Sequence, residues 1–367
     1  MQTAITALGV ATPPYTQLQT KVIDMMVRHL PLTKPEQRLL KTIYRNAGIS
    51  YRYSVLEDFI KSGQPLDFFP NDPALPYPNT QQRMVVYKEN ALKLALSAID
   101  QCFNSYEDFD RKNITHLITV SCTGMYAPGL DIEIVHALAL PTTTQRIAIN
   151  FMGCYGTFNG LKAAQAICQA DKTAKVLVVS VELCTIHFQK EATIDNFISS
   201  AIFSDGAGAL LIEGEQSSYP RAFVLTDFYC DLLPEGKQEM TWDIGNFGFD
   251  IKLSSYVPDL IGNGIATFYQ RLLSRKTLSN VDYYAIHPGG KKILEACETA
   301  LNISSLDNRF SYEVLKNYGN MSSATIIFVL KKLWETLTVS DHHKKLFCCA
   351  FGPGLTLESM MLTVNYA

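Results

Sequence analysis

Three short segments, far apart in the chain, hold residue types that can do acyl chemistry together. Cys154 stands between an apolar strand-like run ending at 150–153 and a helical pattern over 155–170, which puts it at a helix N-terminus. Unpaired N–H groups and the positive end of the helix dipole favour thiolate there, so a nucleophile of lowered pKa is expected. Gly153 and Gly156 on either side let a substrate carbonyl approach closely. His287 follows the strand-like 283–286 and precedes Pro288, Gly289 and Gly290, a tight turn that presents an imidazole at a strand tip. Beside a cysteine, an imidazolium would stabilise the thiolate and a ring N–H would donate to a developing oxyanion. Asn320, in NYGNMSSATIIFVL, precedes a long apolar helix. It would cap that helix, or, in a pocket shared with the other two, donate an amide N–H to an enolate oxygen. Each residue alone has an ordinary structural explanation, but the three together make a nucleophile with two hydrogen-bond donors.

Other chemistries are poorly supported. The turn at 351–357, FGPGLTL, leaves the amides of Gly352 and Gly354 accessible, so it would line the same pocket or merely close a hairpin. Neither GxxxxGK[ST] nor GxGxxG occurs, which removes the usual cradles for phosphoryl and hydride transfer. Cys184 and His187 form a lone CxxH with no second ligand pair, so no metal site is expected. Most of the nine cysteines lie in apolar segments, as reduced core thiols do. With 32 basic against 35 acidic residues, the chain has no electrostatic footprint for nucleic acid or an anionic membrane. No apolar run reaches the length of a membrane span, and the N-terminal apolar stretch, with no preceding basic residue and broken by Pro13 and Pro14, reads as a first strand and not as a secretion signal. The expected location is the cytoplasm.

The elements that must position these residues alternate. Helices are expected at 22–30, 38–44 and 81–102, with an irregular proline-rich loop at 65–78. Strand and helix then take turns: strands at 115–120, 146–151, 175–181, 206–212 and 223–229, with helices at 131–140 and 155–170. A helix at 260–273, a strand at 282–286, helices at 291–301 and 322–337 and strands at 346–350 and 355–364 complete the pattern. This is an α/β chain in two similar halves, 1–215 carrying the cysteine and 216–367 carrying the histidine and asparagine.

NFMGCYG around Cys154, AIHPGG around His287, YGNMSSAT around Asn320 and the FGPGLTLE ending occur in the order and spacing of one family. The chain resembles a type III polyketide synthase of the chalcone synthase group over its whole length. The resemblance implies a thiolase-like fold, two related halves in a five-layered α-β-α-β-α core, and a homodimer. It implies that Cys154 takes an acyl group from a coenzyme A starter. His287 and Asn320 then stabilise the enolate left when malonyl-CoA loses carbon dioxide, and the lengthened chain cyclises without a cofactor. It places Phe203 and Ile251 at the gate between the coenzyme A tunnel and the chamber, and Cys122, Thr123, His187 and Trp242 around the chamber, where Gly352, Pro353 and Gly354 of the 351–357 turn are the other candidate lining residues.

Several of these positions depart from the plant pattern. Ile251 replaces a phenylalanine, His187 a threonine and Trp242 a glycine, while Ala127 stands where the family's cross-subunit methionine falls, near Met125 and Tyr126. The basic residues that would hold coenzyme A phosphates are Arg38, Lys41 and Arg45. These departures point away from a chalcone and towards a fatty-acyl starter with a pyrone or resorcinol product. Two other readings stay open: a ketoacyl synthase fed by acyl carrier protein, and a non-catalytic acyl-CoA binding or scaffold subunit.

Overall fold

The computed structural model describes residues 2–366 except 62, 73, 107–108, 215–218 and 276–280, so the expected boundary at 215/216 lies outside the described residues. The strands are β1 (Thr3–Ala11), β2 (Tyr15–Leu18), β3 (Tyr51–Ser54), β4 (His116–Ser121), β5 (Gln145–Asn150), β6 (Lys175–Leu183), β7 (Asp205–Glu213), β8 (Arg221–Leu232), β9 (Met240–Gly245), β10 (Gly248–Leu253), β11 (Tyr283–Ile286), β12 (Lys345–Gly352) and β13 (Thr356–Tyr366). The helices are α1 (Gln19–His29), α2 (Lys34–Asn46), α3 (Thr80–Asn104), α4 (Leu130–Ala137), α5 (Gly156–Ala170), α6 (Ile194–Ile202), α7 (Val257–Arg275), α8 (Lys291–Leu301), α9 (Arg309–Tyr318) and α10 (Thr325–Thr336).

Nine strands form one sheet in the order β11-β12-β13-β8-β1-β7-β6-β4-β5. Its two parts join where Thr3–Ile5 of β1 pairs with Phe223–Leu225 of β8. The pairing repeats across that seam. From β4 through β6 and β7 to β1 the relations are parallel, antiparallel, antiparallel, and from β11 through β12 and β13 to β8 they are the same. The two halves expected from the sequence are therefore related but hydrogen-bonded into one continuous sheet.

Period-two alternation decides the layers. Val176 and Val178 of β6 and Leu346 and Cys348 of β12 share a buried cluster with Phe158 and Leu161 of α5 and Ile327 and Leu330 of α10. The alternate residues, Leu177 and Val179, or Phe347 and Cys349, join a second cluster with α3, α7 and α8. Helices α5 and α10 are thus sandwiched, with α3 outside one half-sheet and α7 and α8 outside the other, giving five layers of a thiolase-like fold. Strand runs read as nearly continuous apolar sequence because both faces are covered. Among the described residues no helix is long and apolar enough to cross a membrane.

The pseudo-repeat matters for chemistry. Cys154 lies in the 3-10 turn leading into α5, and Asn320 lies just before the 3-10 turn leading into α10, so corresponding junctions of the two halves supply both residues.

Candidate active site

Cys154 is presented on a sharp elbow. β5 ends at Asn150, Phe151 has a positive φ of 59°, and Gly153 follows at 73°. Phe151 holds this unfavourable backbone with its ring against Phe249, centroids 5.1 Å apart. A Cβ on Gly153 would sit 2.2 Å from Pro353 Cδ, so glycine is required both for the turn and for the approach of the 351–357 segment. The Gly153 N–H donates to Cys122 Sγ at 3.0 Å, tying the elbow to the end of β4.

The residue as a whole is half-buried, with its thiol on the inward side. Burial pushes the thiol up to about 12, opposed by hydrogen bonding from Ser322, Asn320 and its own N–H, while the buried charge of Glu182 adds to the rise. The thiolate expected from the helix N-terminus alone is therefore not the resting form, because desolvation outweighs the helix-end amides.

His287 is buried at the tip of β11, its N–H bonded to Cys349 O at 2.8 Å and its carbonyl accepting from Gly289 N at 2.9 Å. Neither ring nitrogen has a hydrogen-bond partner. Burial pushes the imidazole down to about 3, so it rests neutral, with one N–H and one lone pair unspent. Asn320 is buried with its amide fixed: Oδ1 accepts from Ser322 N–H at 2.8 Å and Thr325 Oγ1 at 3.3 Å, and Nδ2 donates to Gly289 O at 3.3 Å. The cap-like role read from the sequence is thus filled by Oδ1, and Nδ2 has a second hydrogen for Cys154.

Cys154, His287 and Asn320 line one pocket of about 850 Å³ with Cys122, Thr123, His187, Phe203, Trp242, Ile251, Gly352 and Pro353. Gly354 does not line it; its φ of 71° serves the turn instead. One wall is a small aromatic stack. His187 lies flat on Phe249 at 4.3 Å between centroids, and Trp242 meets both rings edge-on. His187 Nδ1 accepts from Phe249 N–H at 3.0 Å and Nε2 meets Thr123 O at 2.7 Å, so both ring nitrogens are used within the wall. Trp242 Nε1 donates to Cys122 O at 2.7 Å. Beneath it, the buried Glu182 carboxylate accepts from Cys122 N, Thr123 Oγ1 and Ser323 Oγ, which sets the Cys122–Thr123 segment. Ile251 pairs across the β9–β10 hairpin with Trp242. Phe249 and Ser322 are the functional positions that sequence reasoning missed; Ser322 lay beside Asn320 in an already suspect motif.

A second pocket, about 970 Å³, adjoins the first and shares Leu253, Gly289 and Ile293 with it. Thr42, Ile43 and Asn46 of α2 and Ala47 just beyond it line it, together with Ile198, Ile202, Lys291 and Lys292. Arg38, Lys41 and Arg45 do not. At about 100° per residue they fall on a different face of α2 from positions 42, 43, 46 and 47. The cations at this opening are Lys291 and Lys292, both exposed at the N-terminus of α8.

Among known proteins, the chain matches the family description "Chalcone and stilbene synthases, N-terminal domain" over residues 2–216 and the corresponding C-terminal domain over 225–365. It is 28% identical over 365 residues to the "Alpha-pyrone synthesis polyketide synthase-like Pks18" of Mycobacterium tuberculosis, covering 98% of this chain and 91% of that one. It is 29% identical over 374 residues to the "Putative chalcone synthase" of Bacillus subtilis, covering 98% of each. The crystal structure of PKS-I from the brown alga Ectocarpus siliculosus superposes with a TM-score of 0.91 at 28% identity, covering 99% of this chain and 98% of that one.

Proposed function

The chain belongs to the chalcone and stilbene synthase family and is a type III polyketide synthase, a malonyl-CoA-dependent acyltransferase; on that premise we propose how its own residues divide the work. The observation that carries the assignment is the buried His287 ring, with both nitrogens unpartnered, facing the same pocket as Cys154 and Asn320.

A starter acyl-CoA enters through the second pocket with its phosphates near Lys291 and Lys292. Cys154 gives its proton to His287 as its sulfur attacks the thioester carbonyl, and the imidazolium returns that proton to the departing coenzyme A thiolate. The resting neutral pair suits this transfer, since neither partner must hold a buried charge before substrate arrives. Malonyl-CoA then loses carbon dioxide, and its electron pair becomes an enolate whose oxygen takes N–H donors from Asn320 Nδ2 and His287. Each such donor is worth about 10²–10³ in rate. The enolate carbon attacks the Cys154 thioester, forming a C–C bond and releasing the thiolate. Decarboxylation supplies the carbanion, so the proposal calls for no metal or redox cofactor, and turnover should survive EDTA.

The Trp242, His187 and Phe249 wall narrows the chamber, and the pocket is otherwise largely apolar, which favours an aliphatic acyl starter and a small pyrone or resorcinol product. A strict preference for aromatic starters would overturn that. Intact-mass analysis after mixing with octanoyl-CoA tests the assignment of the nucleophile. One acyl adduct is expected, located on Cys154; an adduct on another cysteine, or none, contradicts it.

A homodimer is supported by β5, an edge strand whose residues are nearly all exposed, apolar Ile147 among them at 39%, and by Met125 in the loop after β4 at 41% exposure. Ile147→Lys should sediment as a monomer; a wild-type monomer would refute the proposal. Nine free cysteines favour a reducing compartment such as the cytoplasm, which subcellular fractionation checks.

A further inference from the structure

Arg52 lies on the four-residue strand β3, fully buried, and the mechanism above makes no use of it. Its Nη1 donates to the carbonyls of Ser200 and Ala201, both at 2.9 Å, and to Gln19 Oε1 at 3.3 Å. Nε and Nη2 have no partner. Nearby Asp205 is occupied elsewhere, accepting from Val55 N and from Thr185 N and Oγ1. The guanidinium is therefore held by the carbonyl end of α6, which is where a helix leaves acceptors unpaired and where its dipole favours a cation.

That helix end leads straight into the site. The next carbonyl, Ile202 O, accepts the Asn320 N–H at 2.8 Å, and Ser204 N donates to Asn320 O at 2.9 Å. Between them, Phe203 forms a parallel bridge with Asn320. On the far side, Ser204 Oγ accepts from Tyr53 N at 2.8 Å and donates to Tyr53 O at 3.0 Å, so β3 grips the segment from two adjacent residues. Gly319 allows the approach: a Cβ there would stand 2.9 Å from Ile202 O and 3.4 Å from Arg52 Cδ.

We propose that Arg52 is a positioning residue that sets, through the carbonyl end of α6, the aim of the Asn320 amide. Without the guanidinium, two buried carbonyls lose donors, and unwinding the last turn of α6 is the direct way to reach other partners. Unwinding displaces Ile202 O, and with it the backbone that aims Asn320. Lysine retains the charge but replaces a planar fork with a single point donor, so it restores the anchor only in part. The proposal rests on the assignment of Asn320 to enolate stabilisation.

The test separates the two half-reactions in the full-length protein, using Arg52→Met and Arg52→Lys. Loading of Cys154 from octanoyl-CoA is followed by intact mass, and malonyl-CoA decarboxylation by acetyl-CoA release. Arg52→Met should lower kcat for decarboxylation by about 10²-fold while KM for malonyl-CoA and the loading rate stay within about threefold, and Arg52→Lys should regain about tenfold. Equal losses in both half-reactions, or no loss in either, overturn the proposal. Should Arg52→Met fail to fold, Gln19→Leu removes the second donor to Ala201 O, at 2.8 Å, from a side chain outside the pocket. It should show the same split at about tenfold, and unchanged decarboxylation would overturn the proposal equally. Wild-type protein that decarboxylates nothing would instead sink the functional assignment itself.

Discussion

Replacing His187 by phenylalanine should make the protein's stability less sensitive to acid. Burial pushes the His187 imidazole down to about 3 from an ordinary 6.5, and its two nitrogens are committed to Phe249 N and Thr123 O. Below pH 6.5 the unfolded chain binds a proton at this residue that the folded chain refuses. The stability is intact above 6.5 and is lost as pH falls from 6.5 towards 3. The slope is about 1.4 kcal/mol per pH unit, or about 2 kcal/mol between pH 6.5 and 5. His287 contributes in the same sense, and Asp205, pushed up to about 6 by burial, in the opposite one, regaining stability as pH falls below 6. Both are present in wild type and variant, so they cancel in the difference. Phenylalanine keeps a ring against Phe249 but forfeits both hydrogen bonds, a pH-independent loss of about 1–3 kcal/mol. Urea unfolding followed by circular dichroism, at fixed protein concentration and at pH 7 and pH 5, measures the gap between the two proteins. It should narrow by about 2 kcal/mol at pH 5. A gap that does not change with pH would refute the buried neutral imidazole.

Asn320→Asp keeps the acceptor for Ser322 N–H but removes the amide donor and places an anion beside the enolate; malonyl-CoA decarboxylation should fall by about 10²–10³ while Cys154 still loads, as read by acetyl-CoA release and intact mass. Trp242→Ala opens the wall beside Ile251, its cross-strand partner, and product mass spectrometry should show chains at least one malonyl unit longer; an unaltered product range would remove Trp242 from size control. Lys291→Ala with Lys292→Ala should raise KM for coenzyme A thioesters by about fivefold at low salt with little change in kcat, as expected for exposed charges. Arg38→Ala, outside the pocket, should leave KM unchanged.

The alternation of apolar runs and helical periodicity is sufficient to place the strands of the large sheet and helices α3, α5, α7, α8 and α10, because long elements with covered faces leave a strong pattern. The elements that evade it are short or half-exposed. β2 and β3 have four residues each, within a stretch that reads as helical. The β9–β10 hairpin has mixed burial along both strands, so Trp242 and Ile251 come to the pocket through family position and Phe249 goes unnoticed. Helix α6 is also missed, and with it the carbonyl end that Arg52 anchors. Cys154, His287 and Asn320 are legible because each sits at a glycine-marked junction between elements. Their protonation is not, since a helix N-terminus can be read from letters whereas the depth of burial that pushes the Cys154 thiol up to about 12 depends on tertiary packing. The basic triplet on α2 misleads for a related reason: charge is visible in sequence, but the face of the helix that borders the second pocket is not.

The most direct test of the account is mass spectrometry of the products formed by the purified protein from malonyl-CoA and a panel of acyl-CoA starters, with Cys154→Ala assayed alongside. Pyrones or resorcinols that appear with wild type and vanish with Cys154→Ala are the predicted result. Polyketide formation that persists in Cys154→Ala, or no polyketide from folded wild-type protein with any starter, would contradict it.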